Sequence, residues 1–400
     1  MPRSIGHKQL TSSIALLLVC LLLGVGRKLI SQDSSRRTAK LTGVSPLQWP
    51  EAIKMADFIL SLQTADGAVV DEAGGNRVNE DSNMDYALIG LGAAYSATKD
   101  PKYLQGLENG IKWLAAREEM RDPRWKGSWY LAYSAKSGEH IPTPPGPGMS
   151  DARGVDATSA LFVYLLYLDQ RLSGNKTLIN TYAANGRAAL DFVIHNNLAA
   201  DGFSQSSWLL SSKNSKWVLF REKYSADQGD VYLGMHAGNL LYRYPRYRHI
   251  AEFLRRETPR RMFLTKEHRY SLGINEHGQL DTSDDGNGAA FSQGYLTWMW
   301  GASKQNRAAT QWLRSKVKPD GSIVTLPEKP SYSLNIAMLG MADAALSNPP
   351  PLQSLRWLIK TTYDAKTGGI RHSPEPSDKS ESNNEAAFCV IAYLRFLPFA

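Results

Sequence analysis

The sequence predicts an all-α domain, a toroid of six helical hairpins with short β-like insertions at one end. Three observations predict it. Segments of helical period alternate between two kinds, a glycine turn recurs at one phase of that alternation, and the aromatic-rich insertions follow the turn.

The first kind of segment is amphipathic, with apolar residues every three or four positions and charges between them. It covers about 47–63, where Ile53, Ala56, Ile59 and Leu60 share a face, then 101–119, 176–197, 246–264, 304–316 and 352–362. The second kind is apolar nearly all round and rich in Ala and Gly. It covers about 85–97, 156–170, 230–243, 287–302, 332–346 and 383–397. A helix with no charged face must be surrounded by protein. Half-polar helices alternating with buried ones fit two concentric rings, because no hairpin can bury its own apolar face alone.

Between the two kinds lies a turn. Asp66-Gly67, Asp201-Gly202-Phe203, His277-Gly278, Asp320-Gly321-Ser322 and Gly368-Gly369-Ile370 each follow an outer segment, with Lys126-Gly127 a looser sixth. Glycine after such residues marks a tight turn with positive φ. These turns, led by Gln63-Thr64-Ala65-Asp66-Gly67, make residues 47–398 resemble the (α/α)6 toroids of six-hairpin glycosidases, some polysaccharide lyases, terpenoid cyclases and protein prenyltransferases. The resemblance implies a fold, and fold alone does not name a function.

The N-terminus is of another character. Ile14 to Val25 is an apolar run preceded by Arg3 and Lys8, the layout of a signal peptide or a short membrane anchor within residues 1–30. Residues 31–46 read as a tether, and 47–400 as the toroid domain. The expected location is extracytoplasmic, either secreted, periplasmic or membrane-anchored, with membrane contact only through the N-terminal segment. Much of the formal +8 charge lies in this region, in Arg3, Lys8, Arg27, Lys28, Arg36, Arg37 and Lys40 against Asp33. The remaining chain is nearly neutral and has no electrostatic footprint for nucleic acid. Only Cys20 and Cys389 occur, so neither a disulfide framework nor a cysteine-rich zinc site is expected. The scattered histidines show no i, i+4 pair, so no metal or other cofactor is called for.

All inner segments start after the glycine turns, so their N-termini share one end of the ring. Insertions 121–154, 201–229 and 266–286 enter there too and would wall a cleft. Carboxylates gather at the same end: Glu80 and Asp81 before the first inner segment, Asp85, Asp156 and Asp230 at the first turns of three of them. Asp281, Asp284 and Asp285 precede the fourth, and Glu385 opens the sixth. N-capping explains any single Asp. Several acids around one bowl also suit glycoside hydrolysis, which needs a protonated and an ionised carboxyl group, about 6.5–9.5 Å apart for inversion. Glu80 is the expected acid, Asp156 the expected base and Asp230 its alternate.

The order of Glu80 and Asp156 is similar to that in family-8 glycoside hydrolases. Ser225-Ala226-Asp227-Gln228-Gly229-Asp230-Val231-Tyr232 resembles that family's Ser-x-Asp-Gly-Asp-x-aromatic segment, although it falls in the third hairpin rather than the second. The resemblance implies an inverting hydrolase acting on a polysaccharide. Trp125 and Trp129 in one insertion and Trp208 and Trp217 in another are candidate sugar-stacking rings, with Asp85, Asp284, Asp285 and Tyr332 as further substrate contacts.

Other readings stay open. A polysaccharide lyase or uronate epimerase would use helix N-termini facing an anionic substrate, with Tyr232, His236, Tyr270 or Tyr332 moving protons. A polysaccharide-binding or assembly protein would keep the aromatics without an acid pair. Asp281-Thr282-Ser283-Asp284-Asp285 looks only superficially like a terpenoid-cyclase acidic motif, and Cys389 has no neighbouring His for a prenyltransferase zinc site.

Overall fold

In the computed structural model, residues 49–284, 286 and 288–400 are described. The N-terminal segment, the tether and Asp285 lie outside them. The outer helices are α1 (Pro50–Ser61), α3 (Pro101–Arg117), the broken pair α5 (Thr177–Thr181) and α6 (Ala183–Phe192), α8 (Pro245–Arg261), α10 (Lys304–Ser315) and α12 (Leu352–Thr361). The inner helices are α2 (Asn83–Thr98), α4 (Asp156–Ser173), α7 (Ser225–Tyr242), α9 (Gly288–Trp300), α11 (Ser333–Ala345) and α13 (Asn383–Tyr393).

The inner helices pack in the order α2, α4, α7, α9, α11 and α13, and α13 returns against α2, so the ring closes. Their lack of a polar face is thereby explained. Of the residues of α4 from Asp156 to Leu166, every one is buried. Outer helices bury one stripe only: in α12, Leu355 and Leu358 are covered while Leu352 is exposed.

The recurring turns have one geometry. After each outer helix the chain makes a small antiparallel bridge, at Gln63–Val69, Glu119–Ser128, Leu198–Ser204, Val317–Ile323 and Tyr363–Ile370. The turn glycine then leans on the next outer helix. At Gly127 (φ 91°) a β-carbon would run into the backbone of Ala188 in α6, and at Gly368 (φ 82°) into that of Lys54 in α1, the contact that closes the outer ring. Positive φ and close approach both require glycine there. The fourth hairpin departs from expectation. Its turn joins β7 (Phe263–Leu264) to β8 (Arg269–Tyr270) with His268 at φ 57°, whereas Gly278 lies between two later strands.

Inner-helix amides grip these turns. Gln228 accepts from the Ser204 N–H at 2.8 Å and donates to the Ser204 carbonyl at 3.0 Å. Gln293 does the same to Tyr270, at 2.6 and 3.1 Å. A buried amide satisfied on both sides fixes the register of inner helix against outer turn.

The insertions form small sheets at the mouth of the ring. Strands β3 (Met149–Arg153), β4 (Ser207–Ser211) and β5 (Trp217–Phe220) pair antiparallel in that order. Strand β6 (Lys223–Tyr224) pairs with β9 (Gly273–Ile274), which pairs with β10 (Leu280–Asp281), and β1 (Arg77–Val78) pairs with β2 (Tyr133–Ser134). Among the described residues, no helix is long and apolar enough to cross a membrane. Cys389 is free and buried.

Candidate active site

The ring encloses a bowl of about 310 Å³ at the N-terminal ends of the inner helices. Every inner helix contributes to its wall from the first two turns: Tyr86 of α2, Ala157 of α4, Asp227 of α7, Phe291 of α9, Leu334 of α11 and Phe388 of α13. The floor is aromatic. Tyr86 packs on Phe388 at 4.9 Å and on Tyr295 at 6.0 Å, and Phe291 stacks on Tyr295 at 4.8 Å. A second cavity of about 840 Å³ opens from the bowl and shares Asp81, Val155, Ser206 and Tyr224 with it.

Among the described residues, two carboxylates line the bowl, Asp81 and Asp227. The backbone that presents Asp81 is unusual, with Asn79, Asp81 and Ser82 at φ 61°, 52° and 69°. Non-glycine residues in this region cost about 1–3 kcal/mol each and persist only where surroundings over-determine them. Here the surroundings are Asp71 and Asn79. Asp71, buried, accepts from the N–H groups of Asn79 and Glu80 at 2.8 and 2.9 Å. The Asn79 side chain accepts from the N–H of Met84 at 3.0 Å and of Asp85 at 3.3 Å, capping α2. Burial pushes the Asp71 carboxyl up to about 7 against these two bonds.

Asp81 is reached by solvent yet surrounded by protein in the bowl, and that enclosure, followed by the charge of Glu80, raises its pKa. Asp227 is half-buried; burial and the nearby charges of Asp230 and Asp81 hold it well above the usual carboxylate range. Behind it stand two acids closed off from solvent. Asp156 accepts from the Ala157 N–H at 2.9 Å, and Asp230 accepts from the phenols of Tyr86 at 3.0 Å and Tyr295 at 2.5 Å. Both are raised well above the ordinary range, chiefly by burial. These acids therefore form one electrostatic cluster in which Asp227 and Asp81 alone line the cavity.

The structure brings some of the sequence-predicted residues together and separates others. Glu80 turns from the bowl to Arg77, both of its oxygens accepting from one guanidinium nitrogen at 2.7 and 2.6 Å, and lines the side cavity and a third cavity with Asp71 and Asn76. Asp156 and Asp230 reach the cluster but not the cavity. Helix α7 begins at Ser225, five residues before the expected start, which puts Asp227 in its first turn and Asp230 one turn deeper. Asp85 is fully buried, with neither carboxylate oxygen hydrogen-bonded. Asp284 holds a turn, accepting from the Gly286 N–H and the Thr325 hydroxyl, each at 3.0 Å. Tyr332 packs on His372 at 4.5 Å, and His372 pairs with Glu385 at 2.5 Å, a bond that raises the imidazole pKa.

The tryptophans do not face the cleft. Trp129 is 1% exposed, donates to the Leu114 carbonyl at 2.8 Å and packs on Phe162. Trp125 is buried against Trp208 and Trp217, with the Arg153 guanidinium 4.3 Å above its ring. Side chains opposite each other in an antiparallel sheet share a face. The pairs Arg153–Trp208 and Leu210–Trp217 therefore point inward to Trp125. Asp81 and Asp227 were both visible in the sequence, Asp81 beside Glu80 and Asp227 within the Ser-x-Asp segment. The early start of α7 was the signal that would have selected Asp227. Among the described residues, no group of three or more His, Cys, Asp or Glu is arranged to hold a metal ion.

No family model and no curated protein matches the chain. Solved structures do match. A wild-type glycosidase superposes with a TM-score of 0.61 at 11% identity, covering 90% of this chain and 97% of its own. A cellobiose 2-epimerase from Bacillus thermoamylovorans gives 0.60 at 14%, covering 85% and 96%. A family-76 α-mannanase from Bacteroides thetaiotaomicron gives 0.58 at 12%, covering 87% and 94%. The chain is a six-hairpin (α/α)6 toroid. In this toroid the bowl lies where the inner-helix N-termini converge, a concave site of the kind that binds small molecules.

Proposed function

We propose that this toroid is a glycoside hydrolase in which Asp81 is the general acid and Asp227 the general base. One observation carries the reading: two carboxylates from different hairpins open onto one cavity while their acidic neighbours are sealed beneath it. Asp81 stands where the bowl meets the side cavity, beside a scissile bond that spans the two. Its pKa is raised, the direction that a general acid requires. Asp156 and Asp230 are closed off from the cavity, so Asp227 is the acid of that buried group placed to take a proton from a water in the bowl.

In the reaction, the Asp81 proton passes to the glycosidic oxygen as its bond to the anomeric carbon breaks. Water adds to that carbon from the opposite face and gives its proton to Asp227. The anomeric configuration inverts, and the products are a free sugar and an alcohol. The fold of the glycosidases above supports the reading, and so does the aromatic floor, since Tyr86 and Phe388 offer ring surface to a pyranose. The expected wall of stacked tryptophans, on which a polysaccharide substrate rested, does not support it. We also propose an extracytoplasmic location, on the strength of the apolar run Ile14 to Val25 after Arg3 and Lys8.

Turnover on a broad panel of glycosides, with product configuration followed by NMR, tests the reading. Hydrolysis with inversion that is lost in both Asp81→Asn and Asp227→Asn supports it. An unsaturated product absorbing in the ultraviolet indicates a lyase, and interconversion of epimers an epimerase; either refutes hydrolysis. Fractionation of cells producing the full chain and a form lacking residues 1–30 tests the location, and cytoplasmic full-length protein overturns it.

A further inference from the structure

The side cavity that opens from the bowl is the larger of the two, and its chemistry differs. Strand alternation decides it. In the β3-β4-β5 sheet the face carrying Trp208 and Trp217 is closed against Trp125. The opposite face presents Ala152, Leu209 and Val218 to the cavity, with Phe220 beyond them. Leu131, which donates its N–H to the Ala152 carbonyl of β3, and Pro145 and Met149 add further apolar lining. Val218 is 49% exposed, a large apolar side chain that the fold leaves uncovered at this position.

Sugar subsites generally combine flat rings with hydrogen-bonding side chains, because a pyranose has polar edges to satisfy on leaving water. The sheet wall is mostly aliphatic, with Phe220 and Ser207 the exceptions, and the polar lining of the cavity, Glu80, Asp81, Arg221, Tyr224 and Glu276, comes from segments outside the three strands. A cavity of about 840 Å³ walled in this way, continuous with the acid pair at Asp81, fits an apolar group attached to the sugar being cleaved.

We propose that the side cavity is an aglycone site for an alkyl or acyl chain, so that the substrate is a glycoside carrying an apolar aglycone. This rests on the hydrolase reading for the direction of cleavage, with the sugar in the bowl and the departing alcohol in the side cavity. The binding preference itself does not depend on turnover.

Pairs of methyl and n-octyl glycosides of glucose, galactose and mannose, in both anomers and below the critical micelle concentration, test it. Binding is measured by calorimetry on the intact protein and KM wherever turnover occurs. The expected result is an octyl glycoside bound at least about ten-fold more tightly than its methyl partner, as burial of several methylenes requires. Val218→Asp and Leu209→Asp, with folding checked by circular dichroism, should bring the octyl value to that of the methyl glycoside. Octyl binding without hydrolysis keeps the aglycone site and refutes the hydrolase reading. Equal octyl and methyl affinities, no octyl binding, or affinity that grows with added sugar units instead of alkyl length, overturns the aglycone site while leaving any observed hydrolysis intact.

Discussion

The phenol of Tyr295 in α9 donates to Oδ1 of Asp230 in α7 across 2.5 Å, and Tyr86 of α2 holds the other oxygen at 3.0 Å. One carboxyl group thus ties three inner helices beneath the bowl. Removing one partner of a buried polar pair costs about 1–3 kcal/mol. Tyr295→Phe should therefore destabilise the toroid by roughly that amount in urea denaturation. Asp230→Asn can still engage both phenols and should cost less. It should also retain far more activity than Asp227→Asn, since Asp230 is sealed from the cavity.

The division of labour between Asp81 and Asp227 has a kinetic signature. Loss of a general acid or base costs about 10²–10⁴-fold in rate. Asp81→Asn should suffer that loss on alkyl glycosides but much less on dinitrophenyl glycosides, whose leaving group needs no proton. Asp227→Asn should lose activity on both. Glu80→Gln, which breaks only the partly exposed pair with Arg77, should cost under about 1 kcal/mol of stability. A rate loss for Glu80→Gln equal to that for Asp81→Asn would reverse the assignment.

Glu118 is 8% exposed, and burial, opposed by a hydrogen bond from Asn185 and the charge of Lys126, pushes its carboxyl up to about 8. Its unfolded value is about 4.3. A carboxyl raised on folding stabilises the folded form fully below the unfolded pKa, and that contribution is lost as pH rises through the folded pKa. The melting temperature should accordingly fall between about pH 4 and pH 8, with Asp71 and Asp169, each raised to about 7, adding to the decline. Glu118→Gln should flatten the upper part of that decline. A slope unchanged in the variant would show that Glu118 does not ionise in this range.

The turn glycines offer a graded test. Gly368→Ala meets both a positive φ and the Lys54 backbone, and Gly127→Ala meets both a positive φ and the Ala188 backbone. Gly174 also has positive φ, 70°, but nothing lies within 4 Å of its would-be β-carbon. Left-handed backbone alone costs roughly 1–2 kcal/mol for an L-residue. Gly174→Ala should lose about that much, and the other two clearly more, by urea midpoint. Equal losses at the three positions would remove the close-approach argument.

The sequence by itself determined the hairpins and their alternation, because helical period is a local property written into each segment. The twelve predicted segments correspond to the observed outer and inner helices, even where α5 and α6 break. The glycine phase was legible for the same reason, except in the fourth hairpin, where His268 takes the positive φ and leaves no glycine to find.

Only the tertiary structure decided which acids face the bowl. Glu80 and Asp81 are adjacent, and their opposite directions follow from a left-handed backbone held by Asp71, whose own carbonyl accepts from the N–H of Asn383 at the start of α13, over three hundred residues along the chain. Asp227 and Asp230 lie on one helix, and their different access depends on where α7 starts and on Tyr86 and Tyr295 arriving from other hairpins. The facing of Trp208 and Trp217 was likewise undecided in sequence. A one-residue shift of register exchanges the two faces of a strand, and here the register comes from pairing β4 with β3, more than fifty residues earlier. Periodicity is local, whereas access and facing are set by what packs from far along the chain.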